Sequence, residues 1–426
     1  MRRRVGPSTV IAVLVAGACA LTATPASGAS DGATTTAPTT VPPTTTSATN
    51  GGGVRGVTDT TITIGGFGQV GRYPGADVGA KARFKRANDG GGVNGRTFNY
   101  LGMRDDLGIA KVNADLANTY VQQDNVFAVV PVVTPDLGAA ETLVKNQVPY
   151  FGWAVSSNFC GNQWGFSFTG CMFPPDAATT SNAWATLVRK NLGAKSSPTA
   201  VILTENTDSG KYFASALDAS VKSAGFTVLS SANSLPVPAV SDYDALARQI
   251  LGSNNSGAPD AVFVNAGYAN VAQVRQAVRN AGYDGVFTNT VEYESSLVAS
   301  STGSFVFSPT AAVESAPTNP AMAQLVADVR AVAPDQPIDQ SVIAGYWSAD
   351  LFINAVERAG KRLTAESLVT KANTKFTYSV TGTVGPVKFP GAHNEPAACG
   401  TLVQSTGTVY NVAEPYACAK VVSTKA

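Results

Sequence analysis

The sequence predicts an α/β protein built as two Rossmann-like lobes with parallel sheets, and three observations carry that prediction. Residues 61–106 run through strand, polar loop, helix, glycine turn, strand and acidic pair. Two strands separated by a helix need a crossover, which makes a βαβ unit and a parallel sheet. The alternation then fills two series, about 57–175 and 176–305, a count that suits two lobes with a cleft between them better than one sheet. Finally, VFAVVPVV (Val126–Val133) and TAVILT (Thr199–Thr204) are nearly continuous aliphatics, as expected where helices cover both sheet faces.

In order, TITIGGFG (Thr61–Gly68) is a β-rich run ending in glycines, and KARFKRAND (Lys81–Asp89) is the end of a helix. GGGVNGR (Gly90–Arg96) breaks that helix, and TFNYLGMRDD (Thr97–Asp106) is a strand with two carboxylates at its far end. After Val126–Val133 come a helix over Asp136–Asn146, a strand over Val148–Ala154 and a helix over about Asp176–Asn191. Thr199–Thr204 is followed by a helix over Lys211–Gly225, stopped by its glycine. The strands FTVLS, DAVFVN (Asp260–Asn265), GVFTN (Gly285–Asn289) and SFVF (Ser304–Phe307) continue the rhythm around a helix over Asn270–Gly282. Helices near 321–333 and 341–359 follow, and from Thr377 the chain reads as short strands and turns. In open parallel sheets ligands sit beyond the carboxyl ends of the strands, which marks the glycine loop at 65–71 and Asp105–Asp106 as a binding edge.

Composition narrows the function. The 426 residues carry a formal net charge of +1, with 14% charged residues and no basic stripe outside Arg2–Arg4, so nothing points to nucleic acid. The single histidine, His393, sits in GAHNEP and reads as a surface turn; CxxC, GxSxG and HExxH are absent. Hydrolytic or metal chemistry has little to work with, and no cofactor is expected.

Residues 1–29 read as a signal peptide: a basic start, then the apolar run Val10–Ala18, too short to span a bilayer. The chain is therefore expected to be exported. Cys19 follows Gly17 and Ala18 and resembles a bacterial lipobox cysteine, which would anchor the protein to the membrane; ordinary cleavage near Ala26 or Ala29 is the alternative. Residues 30–56 are rich in Thr, Pro and Gly and lack the apolar side chains that would offset ordering entropy, so they read as a disordered linker. In an exported protein the nearby pairs Cys160–Cys171 and Cys399–Cys418 are most simply disulfides.

IxIG, the Gly/Pro loop, GGGVNGR and the following acidic pair resemble the first lobe of the type 1 periplasmic binding proteins, in particular the Leu/Ile/Val-binding branch that serves branched-chain amino acid ABC transporters. TGTVGPVKFP (Thr381–Pro390) is similar to that branch's closing segment, so the likeness spans about Val57–Lys420. The resemblance implies a Venus-flytrap: two lobes joined by a three-crossover hinge, closing on a small ligand. Crossovers are expected near Pro174, Pro309 and Phe376, giving lobe one as 57–175 plus 309–376 and lobe two as 176–308 plus 377–426. It implies a non-enzymatic, monomeric protein that hands a small amphipathic ligand, an amino acid or relative, to an ABC permease. A sensor of the same fold, coupled to a membrane signalling partner, is the alternative.

An amino acid needs hydroxyls and backbone N–H groups for its carboxylate, an acid for its ammonium and apolar walls for its tail. Thr134-Pro135 reads as a helix start, with the Thr134 hydroxyl either a carboxylate contact or only a cap, and Asp136 competing for the same helix end. The resemblance adds Ala154, Ser156 and Ser157 after Trp153 (the serines alternatively making turns), Tyr268 against the ligand, and Glu292 on the ammonium, with Glu294 able to replace it. The first loop departs from the family's Ser-Gly, leaving Gln69, Arg72 or Tyr73 to act there. The aromatics between Tyr150 and Phe173 read as core or as a cleft lining, with Trp153 facing the cleft.

Overall fold

A computed structural model describes residues 53–174, 178–239, 242–254 and 257–425. The expected signal peptide, Cys19 and the linker up to residue 52 lie outside the described residues. The linker's last residues are not free: the Arg55 guanidinium donates to the carbonyls of Val126, Asn146 and Gln147, which ties 53–56 to the first lobe.

The first half of the chain forms β1 (Thr61–Gly68), α1 (Ala76–Asp89), β2 (Thr97–Asp105), α2 (Ala110–Gln122), β3 (Ala128–Val133), α3 (Ala139–Lys145), β4 (Tyr150–Gly152) and β5 (Gly165–Ser167). These five strands make one parallel sheet in the order β2-β1-β3-β4-β5. Next come β6 (Thr179–Ser181), α4 (Ala183–Asn191), β7 (Thr199–Glu205), α5 (Asp208–Ser223), β8 (Thr227–Leu235), α6 (Asp244–Leu251), β9 (Ala261–Asn265), α7 (Tyr268–Asn280), β10 (Val286–Asn289) and β11 (Phe305–Ser308). Strands β8-β7-β9-β10-β11 repeat the order of the first sheet, also in parallel. The remaining elements are α8 (Pro320–Val332), α9 (Gln340–Ala359), α10 (Ala365–Ala372), β12 (Phe376–Val380), β13 (Val384–Phe389), β14 (Cys399–Ser405), β15 (Tyr410–Cys418) and β16 (Val421–Ser423). β14 and β15 extend the second sheet antiparallel to β11. The chain crosses between lobes three times: after β5, after β11 and before β14.

α9 is the spine of the first lobe. Phe352 is fully buried, with the rings of Phe151, Phe98, Phe84 and Phe127 at 5.1, 5.9, 6.2 and 6.4 Å. α1 lies against α9 backbone to backbone: a Cβ on Gly345 would stand 1.9 Å from the Ala76 carbonyl oxygen, and one on Gly79 2.0 Å from that of Val342. In the second lobe Trp184 fills the equivalent place, its ring 5.3 Å from Phe263 and its indole N–H donating to Thr288 Oγ1 at 2.8 Å. Both expected disulfides are formed.

Four sequence expectations are corrected. The helix assigned to 176–191 begins only at Ala183; Thr179–Ser181 is β6, because its β-branched residues find an antiparallel partner in β16. Thr134 and Pro135 do not start α3, whose N-cap is Gly138. Asn113 on α2 holds this turn open, its amide donating to the Asp136 carbonyl at 2.6 Å and its oxygen accepting the Ala139 N–H at 2.7 Å. Residues 377–398, assigned to the second lobe, pack on the first. Phe376 and Phe389 pair across the β12–β13 hairpin, and Phe389 lies 5.1 Å from Phe166. The chain joins the second sheet at Cys399. Finally, His393 is a buried ring, 3% exposed, 5.3 Å from Phe166 and 5.0 Å from Phe389, with Nε2 2.6 Å from Asn373 Oδ1. The Cys160–Cys171 loop receives this segment through Gly161 N–H to the His393 carbonyl and Cys171 N–H to the Ala392 carbonyl.

Candidate functional site

A sheet ordered 2-1-3-4-5 offers its ligand crevice where the chain reverses direction, between the first and third strands. In the first lobe that point lies between the loops after β1 and β3; in the second, between those after β7 and β9. The loop after β1 turns at Gln69, whose carbonyl accepts the N–H groups of Arg72 and Tyr73, and this tight turn aims Tyr73 inward. Tyr73 is buried, its ring 5.8 Å from that of Trp153 in an edge arrangement, with the Arg72 guanidinium carbon over the ring, 5.4 Å from its centroid. Trp153 follows β4, is 7% exposed, and its indole N–H has no partner.

The second lobe reaches this aromatic pair through the segment after β10. Glu294 feels the Arg72 charge and in turn helps push the Tyr73 hydroxyl upward in pKa, an effect led by burial. The first turn of α9 completes the group. Asp339 caps that helix by accepting the Ser341 N–H, and Ser341 Oγ donates to Glu294 Oε1 at 2.9 Å. Glu294 is pushed up to about 9 by burial, then by the charge of Asp339 and a hydrogen bond shared with it; the Ser341 hydroxyl and Arg72 oppose the shift. Glu294 therefore keeps its proton at neutral pH. Between Asp339 and Ser341 in the chain stands Gln340, 5% exposed, with both side-chain amide atoms buried and unpartnered.

Other expected residues serve the frame. Glu292 is fully buried and spoken for: Arg275 Nε and Nη2 each lie 3.1 Å from its Oε1, and Asn289 donates to Oε2 at 2.8 Å. A carboxylate so engaged has no capacity left for an ammonium. Thr134 is buried with its hydroxyl unpartnered, near Asp106, whose carboxyl burial pushes up while the Gly108 N–H and the Asn113 amide hold it down. Asp105 accepts the N–H groups of Val70 and Leu107. The acidic pair thus fastens loops. The Gln69 side chain lies against Gly108, on that same loop. Ala154 donates its N–H to Ser167 Oγ at 3.0 Å; Ser156 accepts the Asn158 N–H and caps the short 3₁₀ turn in which Ser157 stands exposed. Tyr268 opens α7, 38% exposed, its hydroxyl 3.2 Å from Ser300 Oγ. Among the aromatics of 150–173, Tyr150, Phe151, Phe159, Phe166 and Phe168 are core.

Sequence reasoning missed Asp339, Gln340 and Ser341. Their signal was an Asp-x-Ser cap ahead of a long apolar helix, which announces a helix start but not what it faces. It also missed Glu205 at the end of β7, whose Oε1 accepts the Gly267 N–H at 2.9 Å and the Asn270 amide at 3.0 Å.

A model of the family described as periplasmic binding protein matches residues 56–408. The chain belongs to the periplasmic binding protein family. Solved structures agree on the fold. A fatty acid ABC transporter substrate-binding protein from Thermomonospora curvata is 18% identical with a TM-score of 0.65, over 86% of this chain and 95% of its own. The branched-chain amino acid transporter substrate-binding protein LivJ from Streptococcus pneumoniae, solved with isoleucine, is 17% identical with a TM-score of 0.61, over 85% and 100%. A solute-binding protein of an R. palustris ABC transporter, solved with 4-hydroxybenzoate, is 17% identical with a TM-score of 0.62, over 85% and 97%. The search of curated proteins finds no match. The family is one of exported solute-binding proteins, which the two disulfides suit; among the described residues no helix is long and apolar enough to cross a membrane.

The buried titrating groups give this periplasmic binding protein a testable pH profile. An unfolded glutamate loses its proton near 4.5, whereas folded Glu294 keeps it to about 9. Between those values the folded state holds the extra proton, so stability falls as pH rises, by up to about 1.4 kcal/mol per unit. His393 acts oppositely: burial lowers it from 6.5 to about 4, so stability falls as pH drops through that window. The two slopes oppose each other between 4.5 and 6.5, and above 6.5 the Glu294 slope stands alone. Urea unfolding of unliganded protein at pH 6.5 and 8.5 is expected to show the lower stability at 8.5, with Glu294→Gln flattening the difference.

Proposed function

We propose that this protein is an extracytoplasmic receptor that takes a small amphipathic molecule between its lobes and presents it to an ABC importer. The observation that carries the reading is the meeting of four segments from two lobes: the Tyr73 and Trp153 loops and the α9 cap at Asp339–Ser341 from the first, and the Glu294 segment from the second. A site assembled from both lobes is complete only when they are together, and a permease can distinguish that arrangement from an open one. Aromatic walls suit an apolar body, and a carboxyl pair suits an ammonium group, so an amino acid or a related amine is the ligand class the site supports best. Tyr268 and Glu205 belong to the rim on the second lobe. The lipid anchor at Cys19 would keep the receptor near its permease.

Calorimetry on the full exported chain, stripped of carried-over ligand by unfolding and refolding, tests this reading. Saturable heat is expected with at least one member of a panel of amino acids and related amines. Glu294→Gln should weaken that ligand about 10- to 100-fold, the value of a charged hydrogen bond in a buried site. Silence across the whole panel would end the proposal.

A further inference from the structure

Resting on that reading of the cleft, we infer that the preferred ligand is an organic cation bearing a neutral hydrogen-bonding group and no carboxylate: an amino amide, an amino alcohol or a hydroxylated quaternary ammonium. Four observations carry this. First, the α3 and α7 N-termini at the two crevices, where a ligand carboxylate would be received, are filled from within. Asn113 Oδ1 takes the Ala139 N–H at 2.7 Å, and Glu205 Oε1 takes the Gly267 N–H at 2.9 Å. Second, two acids meet at the cleft, with the Ser341 hydroxyl on Glu294, and among the described residues the cation acting on Glu294 is the exposed Arg72. A ligand cation entering there takes the place of the proton that Glu294 holds. A zwitterion would bring its carboxylate towards Asp106 in one crevice and Glu205 in the other. Third, Tyr73, whose ring packs on Trp153, lies within reach of the Glu294 charge, and aromatic faces next to acids favour cations. Arg72, over Tyr73, already uses this preference. Fourth, buried polar groups on the loops around the cleft await partners: the Gln69 side-chain oxygen, the Thr134 hydroxyl, the Trp153 indole N–H and both amide atoms of Gln340. Trp153 offers only a donor and Gln340 a donor and an acceptor, which a hydroxyl or carboxamide answers.

The test is calorimetric titration of the ligand-stripped full chain with leucine, leucinamide, leucinol and 4-methylpentanoate, the matching phenylalanine series, and choline. The expected result is an amide, amino alcohol or choline bound at least tenfold more tightly than the parent amino acids, with Glu294→Gln weakening it at least tenfold and Trp153→Phe weakening it several-fold. Amino acids bound as tightly as their amides, or binding only of the acids, would overturn the inference and leave the receptor function standing. Silence with every probe would overturn both. Tight cation binding unaffected by Glu294→Gln would overturn the assignment of the charge to this pair.

Discussion

Replacing Phe352 with alanine is expected to destabilise the protein by about 3–5 kcal/mol, measured by urea unfolding of the full chain. The side chain is fully inside, and four phenylalanines, from α1, β2, β4 and the position just before β3, have their ring centroids within 6.4 Å of its own. Its neighbours cannot close over the void, because α9 is fixed against α1 by glycine contacts that leave no slack. Phe352→Leu should recover most of the loss by refilling volume. A cost below about 1 kcal/mol for the alanine variant would mean that the helices do shift, contrary to the backbone contact at Gly79 and Gly345.

Arg275→Met is expected to cost a similar amount, about 3–5 kcal/mol, because it strands a carboxylate in the core. Arg275 and Glu292 are both buried, and what remains to Glu292 is the Asn289 amide, its own backbone bonds and the Tyr410 hydroxyl on its carbonyl. Removing both charges together, as Arg275→Met with Glu292→Leu, should restore much of the stability, since two apolar groups of like volume replace a pair that was expensive to bury. Unfolding of the single and double variants closes a double-mutant cycle. If Arg275→Met instead left stability unchanged and altered ligand affinity, Glu292 would return to the binding site.

The contrast between Glu292 and Glu294 shows what a sequence reveals about such a site. Buried parallel strands such as Val126–Val133 and Thr199–Thr204 declare themselves, because covering both sheet faces demands unbroken aliphatics. The carboxyl ends of such strands can be located too, which places Tyr73 on the loop after β1 and Trp153 on the loop after β4. Which of two glutamates is consumed internally depends on an arginine 17 residues earlier, on the far side of a helix and a strand. No local pattern carries that. The same holds for β6, whose partner is β16 near the end of the chain, and for the β12–β13 hairpin, whose Phe389 finds Phe166 across more than half the fold. Long-range pairing chose these outcomes over local propensity.

The interleaving of the two lobes has a consequence for biogenesis. The first sheet is complete by Ser167, yet its central helix comes from residues 340–359, and the second sheet waits for strands that finish at Cys418. The face of the first sheet that α9 covers therefore stays open on the growing chain until residues 340–359 have been made, whereas the opposite face already closes on α2 and α3. Arrival of that late helix, rather than assembly of the first five strands, completes the lobe, so a chain cut short before residue 340 is left with one apolar sheet face bare.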